Sequence, residues 1–160
     1  MPTEKETESL MLEIGCALIT CQFAERYLAK CVASVFETRG TTREEEERLF
    51  ERPDRLENLI RKTRDAVDLP DDFTNIMWRF RENRNKLVHK LTPLDGADWH
   101  TDAGFKSTMA FVRGLRADAA LVRDVLWKFL ETLIPADMLE DVRRKSDWRI
   151  DSADAGRTAD

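Results

Sequence analysis

An all-α fold, an up-and-down bundle of four to five helices, is what the sequence predicts, on three observations. Apolar residues recur at alternating steps of three and four through several long stretches, the spacing of one helix face. Six glycines and five prolines in 160 residues are too few for the many tight turns of a β-sandwich or barrel. Hydrophobic residues make up 42% of the chain, enough for one sizeable core at this length, which excludes collagen-like, low-complexity and fully disordered chains. We expect a helical bundle domain over residues 1–138, followed over 139–160 by a short helix and a frayed polar tail.

The first helix is expected over Thr7 to Phe36. Ile14, Ala17, Cys21, Ala24, Leu28, Cys31 and Val35 form its apolar face, widened by Met11, Leu18, Val32 and Phe36. The small residues Ala17, Cys21 and Ala24 allow close approach of another helix, within the chain or across a dimer seam. Thr38-Arg39-Gly40-Thr41 supplies a stop. Thr42, followed three residues later by Glu45, has the form of a capping box, and Glu44 to Glu47 read as a solvated face. Pro53 breaks or kinks that segment, and Asp54 to Val67 read as a turn-rich stretch carrying Leu56, Leu59 and Ile60. Pro70 and the pair Asp71-Asp72 mark the next helix start, where acidic side chains suit the positive end of the helix dipole.

A third long helix is expected from Asp72 to Leu91, with Phe73, Met77, Phe80, Leu87 and Leu91 on one face and Thr92-Pro93 closing it. A loop from Thr92 to about Thr101 turns at Asp95-Gly96. The last long helix runs from Asp102 to Ile134, carries Met109, Val112, Leu115, Ala119, Leu121, Val122, Leu126, Phe129, Leu130 and Leu133, and ends at Pro135. Gly114 within it either weakens the helix locally or serves a close contact. A short helix from Ala136 to Lys145 and a polar tail from Ser146 complete the chain.

Charge narrows the function. Thirty-one acidic against 26 basic residues give a formal net charge of -5, unlike the uniformly basic surface of many nucleic-acid-binding domains. Cys16, Cys21 and Cys31 lack a Cys-x-x-Cys pair or a nearby histidine, so they read as small buried apolar residues in a reducing cytoplasm. The acidic N-terminal residues and the charges Glu13, Glu25 and Arg26 within the first apolar stretch argue against export and membrane insertion.

The stretch from Arg79 to Lys90 holds five basic side chains against the single Glu82, a locally positive segment suited to phosphate. Arg84 occupies the gap that the apolar repeat leaves between Phe80 and Leu87. It is either a binding residue or an arginine whose stem packs and whose head meets a carboxylate of another helix. Asn85 lies one turn before His89, and Glu82 seven residues before it, in a polar row. Arg84 and His89 stand about 140° apart on an ideal helix, so they meet only if the helix end distorts or if two copies face each other.

At Arg84-Asn85-Lys86-Leu87-Val88-His89 the sequence resembles the HEPN superfamily (higher eukaryotes and prokaryotes nucleotide-binding), whose R-x(4-6)-H motif commonly has asparagine directly after the arginine. The helical pattern over residues 7 to 135, with the motif near the end of the third long helix, is similar to that family's bundle. The resemblance implies a metal-independent, cofactor-free endoribonuclease, usually a homodimer whose two motif helices form one cleft. It further implies that His89 moves the proton of the 2'-hydroxyl or of the leaving group, that Arg84 neutralises the scissile phosphate, and that Asn85 orients one of them. Arg79, Arg81, Lys86 and Lys90 would hold the flanking RNA backbone. Family members are often bacterial toxins or antiviral ribonucleases restrained by an antitoxin or other regulatory protein; others bind without cleaving. The tyrosine that many such toxins carry two residues after the histidine is Leu91 here, which argues against control by its modification.

Other readings compete. One is a non-catalytic interaction module that binds a partner through Ala17, Cys21 and Ala24. Metal binding by His89 and His100 with Asp95, Asp98 or Asp102 has no recognised ligand spacing, and an ordinary loop is preferred. Trp78, Trp99, Trp127 and Trp148 offer faces for base stacking but read first as packing residues.

Overall fold

The computed structural model describes residues 1–39, 44, 55–90, 101–137 and 139–140, and among these there is no strand. Among the described residues, four helices form the expected all-α bundle: α1 (Glu4–Arg39), α2 (Arg55–Ala66), α3 (Asp71–Lys90) and α4 (Asp102–Leu133). The capping box at Thr42 and Glu45, the Pro53 break, Leu91, the loop with its Asp95-Gly96 turn and the tail from Ser146 lie outside the described residues. Ala136, Asp137, Leu139 and Glu140 are helical, where the short C-terminal helix was expected.

α1 begins earlier than its apolar repeat suggests, because Thr3 and Glu6 cap it. The Glu6 amide donates to Thr3 Oγ1 at 3.3 Å, while the Thr3 amide and hydroxyl each donate to Glu6 Oε2 at 2.8 Å. This is a reciprocal capping box. The Thr3 backbone bond, with the hydroxyl second, holds the Glu6 carboxyl below its ordinary pKa. α4 starts on Thr101, whose Oγ1 accepts the Gly104 amide at 3.1 Å. Ile134 closes it by donating its amide to the Leu130 carbonyl at 3.1 Å, ahead of Pro135.

Arg55–Ala66 departs from the turn-rich expectation for residues 54–67. No glycine or proline interrupts the span from Arg55 to Leu69, and Leu56, Leu59, Ile60 and Thr63 fall at helical spacing. Leu59, Ile60 and Thr63 are buried, and the Thr63 hydroxyl returns to the Leu59 carbonyl at 2.9 Å. The burial of that face against the bundle makes α2 a helix.

α1 and α4, the longest helices, pack along their lengths in the same direction. The Met1 amine meets Asp102 at 3.0 Å, Arg116 donates to Glu13 at 2.9 Å, and the Tyr27 and Trp127 rings lie 5.4 Å apart, so position along one helix rises with position along the other. α3 also packs chiefly on α4. The core combines Ala17, Cys21, Ala24, Leu28 and Cys31 of α1 with Phe73, Met77, Phe80 and Leu87 of α3, together with Val112, Leu115, Ala119, Val122, Leu126 and Leu130 of α4. The small residues of α1 are therefore spent within the chain, which removes them as an exposed partner seam. Cys21 and Cys31 are buried as expected, and burial pushes both thiols up to about 12; Cys16 is only half-buried. Met11, Leu121 and Leu133, read as core from their spacing, are exposed because they lie at the margins of their faces.

Gly114 serves no close contact: it is exposed, and an added Cβ would meet nothing within 4 Å. It only weakens the helix. Gly114→Ala should stabilise the protein by about 0.5–1 kcal/mol, because the unfolded chain loses freedom and the helix gains propensity. Thermal melts followed by circular dichroism should show a rise of about 1–4 °C; a lower melting point would mean that this position is packed.

Candidate functional site

The repeat of α3 turns Phe73, Met77, Phe80 and Leu87 inward, and Arg84 shares their stripe. Its side chain is 30% exposed, and its Nε donates to Oε1 of Glu25 on α1 at 2.8 Å, where the glutamate side chain is 23% exposed. Arg84 Nη1 donates to Asn85 Oδ1 at 3.3 Å. The interhelical carboxylate that a core-stripe arginine requires is thus present. Sequence reasoning did not single out Glu25 for this role; the available signal was an acid at the margin of the α1 apolar face, one turn after Cys21. The Cys21 thiol registers the pair, since burial raises its pKa most, the Glu25 charge adds to that, and Arg84 opposes it.

The neighbouring arginines are engaged in the same manner. Arg79 grips Asp118 of α4 with two bonds, Nε to Oδ2 at 2.7 Å and Nη2 to Oδ1 at 2.6 Å, and the bond raises the guanidinium pKa further. Arg81 donates to Oε2 of Glu57 on α2, whose Oε1 accepts Arg61 at 2.7 Å, and it lies over the Trp78 ring, 5.7 Å from the centroid. Each arginine of α3 therefore ties it to a different helix: Arg79 to α4, Arg81 to α2 and Arg84 to α1.

The outer side of α3 differs. Glu82, Lys86 and His89 are exposed, Asn85 is half-buried, and Lys86 makes no ion pair among the described residues. Lys90 ends the helix, but its side chain lies outside the described residues. Because α3 stays α-helical through Lys90, its end does not bend Arg84 toward His89. Arg84 turns to α1 and His89 to solvent. Within one chain the structure brings Arg84 and Asn85 together and leaves His89 apart.

Trp127 packs on Tyr27 and donates its Nε1 to Glu131 at 2.7 Å, and Trp78 is half-buried under Arg81; Trp99 and Trp148 lie outside the described residues. Among the described residues no group of three or more His, Cys, Asp or Glu side chains is placed to hold a metal ion. Asp102 is paired with the Met1 amine, and His100, Asp95 and Asp98 are outside the described residues. No helix among the described residues is long and apolar enough to cross a membrane. No protein-family model, curated protein or solved structure matches the chain.

Breaking the Arg84–Glu25 pair should destabilise the bundle. Glu25→Gln and Arg84→Met should each cost about 1–3 kcal/mol, between the values for exposed and buried pairs. In urea melts the double variant should lose less than the two single losses added together, by about 1 kcal/mol. Simple additivity would show that the pair is not formed in solution.

Proposed function

We propose that the chain is a metal-independent endoribonuclease of the HEPN type, acting in the cytoplasm as a homodimer and serving as a bacterial toxin or antiviral effector under the control of an antitoxin or other regulatory protein. The observation that carries this reading is the state of the motif: Arg84 is half-exposed and oriented by Glu25 and Asn85, with His89 exposed on the same unbroken helix. A guanidinium has five N–H donors. Nε and one on Nη1 are used within the chain, so the remaining donors serve a phosphate. Asn85 has committed its carbonyl oxygen to Arg84, and its amide NH₂ remains to meet the phosphate or the histidine. Divergence on one helix makes the site composite, with Arg84 of one copy meeting His89 of another across a two-fold axis.

In the reaction the 2'-oxygen attacks phosphorus as its proton passes to a base, the P–O5' bond breaks, and the departing oxygen takes up a proton. His89 moves these protons, and Arg84 balances charge on the non-bridging oxygens. Lys86 and Lys90 hold the flanking backbone. Arg79 and Arg81 contribute only by exchanging Asp118 and Glu57 for phosphate, which makes them weaker contacts.

The second reading, a non-catalytic helical module that binds RNA or protein, is favoured by the same Arg84–Glu25 bond, because an ion pair between helices explains the arginine without a substrate. Incubating purified protein, free of any inhibitor, with varied RNAs in EDTA separates the two. The ribonuclease should yield 2',3'-cyclic phosphate and 5'-hydroxyl ends and spare DNA. His89→Ala, at an exposed position, should lose roughly 10²-fold or more with an unchanged melting point, and Lys86→Ala should mainly weaken binding and its salt dependence. Co-expressed Arg84→Ala and His89→Ala chains should regain part of the activity. Intact RNA in both EDTA and magnesium, or undiminished cleavage by the His89→Ala protein, would overturn the enzyme reading.

A further inference from the structure

We propose that the cleft between the first turns of α1 and α4 is a binding site for a small aromatic carboxylate, whose head meets Arg113 and Ser9 and whose rings lie on Phe105 and Met109. The site goes beyond the ribonuclease reading and does not rest on it. Glu25, which holds Arg84, follows Ser9 on α1 by about 24 Å, at about 1.5 Å per residue. No described residue of α2 or α3 lines the cleft. Its volume is about 380 Å³, within the range of about 300–1,000 Å³ usual for ligand sites. An apolar cavity of about 150 Å³ takes one benzene ring, so this cleft has room for a two-ring body with its head group. Met109 is buried and Phe105 half-buried beneath it, while the small, exposed Ala110 leaves the way in open.

Charge fixes the class of ligand and its direction. The Met1–Asp102 and Glu13–Arg116 contacts bracket the cleft and set its two walls in register. Glu6 therefore stands level with the turn of Lys106 and Met109, and Ser9 level with the turn of Ala110 and Arg113. At the first end Lys106 is opposed by Glu6, whose carboxyl Thr3 holds below its ordinary pKa, and by Asp102, which feels the lysine charge. That end is balanced. At the second end the nearest acid, Glu13, is already bonded to Arg116, and Arg113 makes no ion pair among the described residues. The Ser9 hydroxyl makes no hydrogen bond among them either. A planar guanidinium beside a free hydroxyl, with apolar surface next to both, suits a carboxylate, which accepts from both at once. An ammonium head would face the like charge of Arg113, and a neutral head would forgo the charge-assisted bond.

Isothermal titration of the full chain with 2-naphthoate, its neutral amide and 2-naphthylmethylammonium tests the proposal. The carboxylate should bind once per chain with a Kd between about 10 µM and about 1 mM, and at least about fivefold more tightly than the other two. Arg113→Ala should weaken its binding by about tenfold. Ala110→Trp should abolish binding by filling the cleft, and because both positions are exposed the two proteins should keep their melting temperatures. Lys106→Ala, at the balanced end, should shift the Kd by less than about threefold. The proposal is overturned by the lack of saturable binding up to about 5 mM, by equal affinity for carboxylate and amide, or by wild-type affinity in a folded Arg113→Ala or Ala110→Trp protein. A loss in Lys106→Ala larger than that in Arg113→Ala would overturn it as well. None of these readouts involves RNA, so a failed cleft and a failed enzyme are told apart.

Discussion

Arg84 sits where the repeat of α3 asks for a hydrocarbon, and the bundle is arranged round the carboxylate that lets it stay there. Taking a guanidinium even partly out of water is costly unless it is paired and hydrogen-bonded. Glu25 and Asn85 meet that demand at 2.8 and 3.3 Å. Because α1 and α3 each pack chiefly on α4 and also on α2, the Arg84–Glu25 bond adds a direct polar tie between α1 and α3. Desolvation of both groups offsets much of their attraction, so the pair sets the register of α3 against α1 more than it adds net stability.

The same logic extends along the helix. Arg79, Arg81 and Arg84 fall on three sides of α3 and reach α4, α2 and α1, each ending on a carboxylate. A segment that looks like a basic patch in a chain of net charge -5 is, for its arginines, a set of internal neutralisations. What it leaves to solvent on its outer side is Glu82, Lys86 and His89 with Asn85 at the edge. The charge available to a phosphate chain is therefore smaller than the residue count suggests, and any RNA that gathers Arg79 or Arg81 must displace an existing partner.

Periodicity was the legible part of the fold. The faces of α1, α3 and α4 are long enough for the alternation of three and four to identify them: Ala17, Cys21, Ala24, Leu28 and Cys31, then Phe73, Met77, Phe80 and Leu87, then Val112, Leu115, Ala119, Val122, Leu126 and Leu130 are buried as read, while Leu18 and Phe129 are half-buried and Leu121 is exposed. α2 was not legible, because twelve residues carry only two turns of pattern beside a proline, and its helix depends on what Leu59 and Ile60 pack against. The Thr3–Glu6 box is present in the sequence but does not by itself announce a helix start, since no apolar repeat follows it at once. The signal at Glu25 is too weak to assign its partner without the fold: a glutamate at the edge of an apolar stripe is ordinary until another helix brings an arginine to it. Nor does spacing within a helix reveal that α1 and α4 run in the same direction.

The candidate site follows from these constraints rather than from the hexapeptide alone. An arginine held inward by Glu25 cannot swing round a regular helix to meet a histidine that faces solvent, and α3 remains regular to its last residue. Chemistry that uses both must bring them from different chains, so catalysis in this reading is a property of an assembly and not of the folded chain. A structural role for Arg84 makes no such demand, since its partner is already within the bundle. The two readings thus differ in what they require of symmetry. A chain with Arg84 intact and His89 removed, mixed with its converse, must regain function only where the two residues act across an interface.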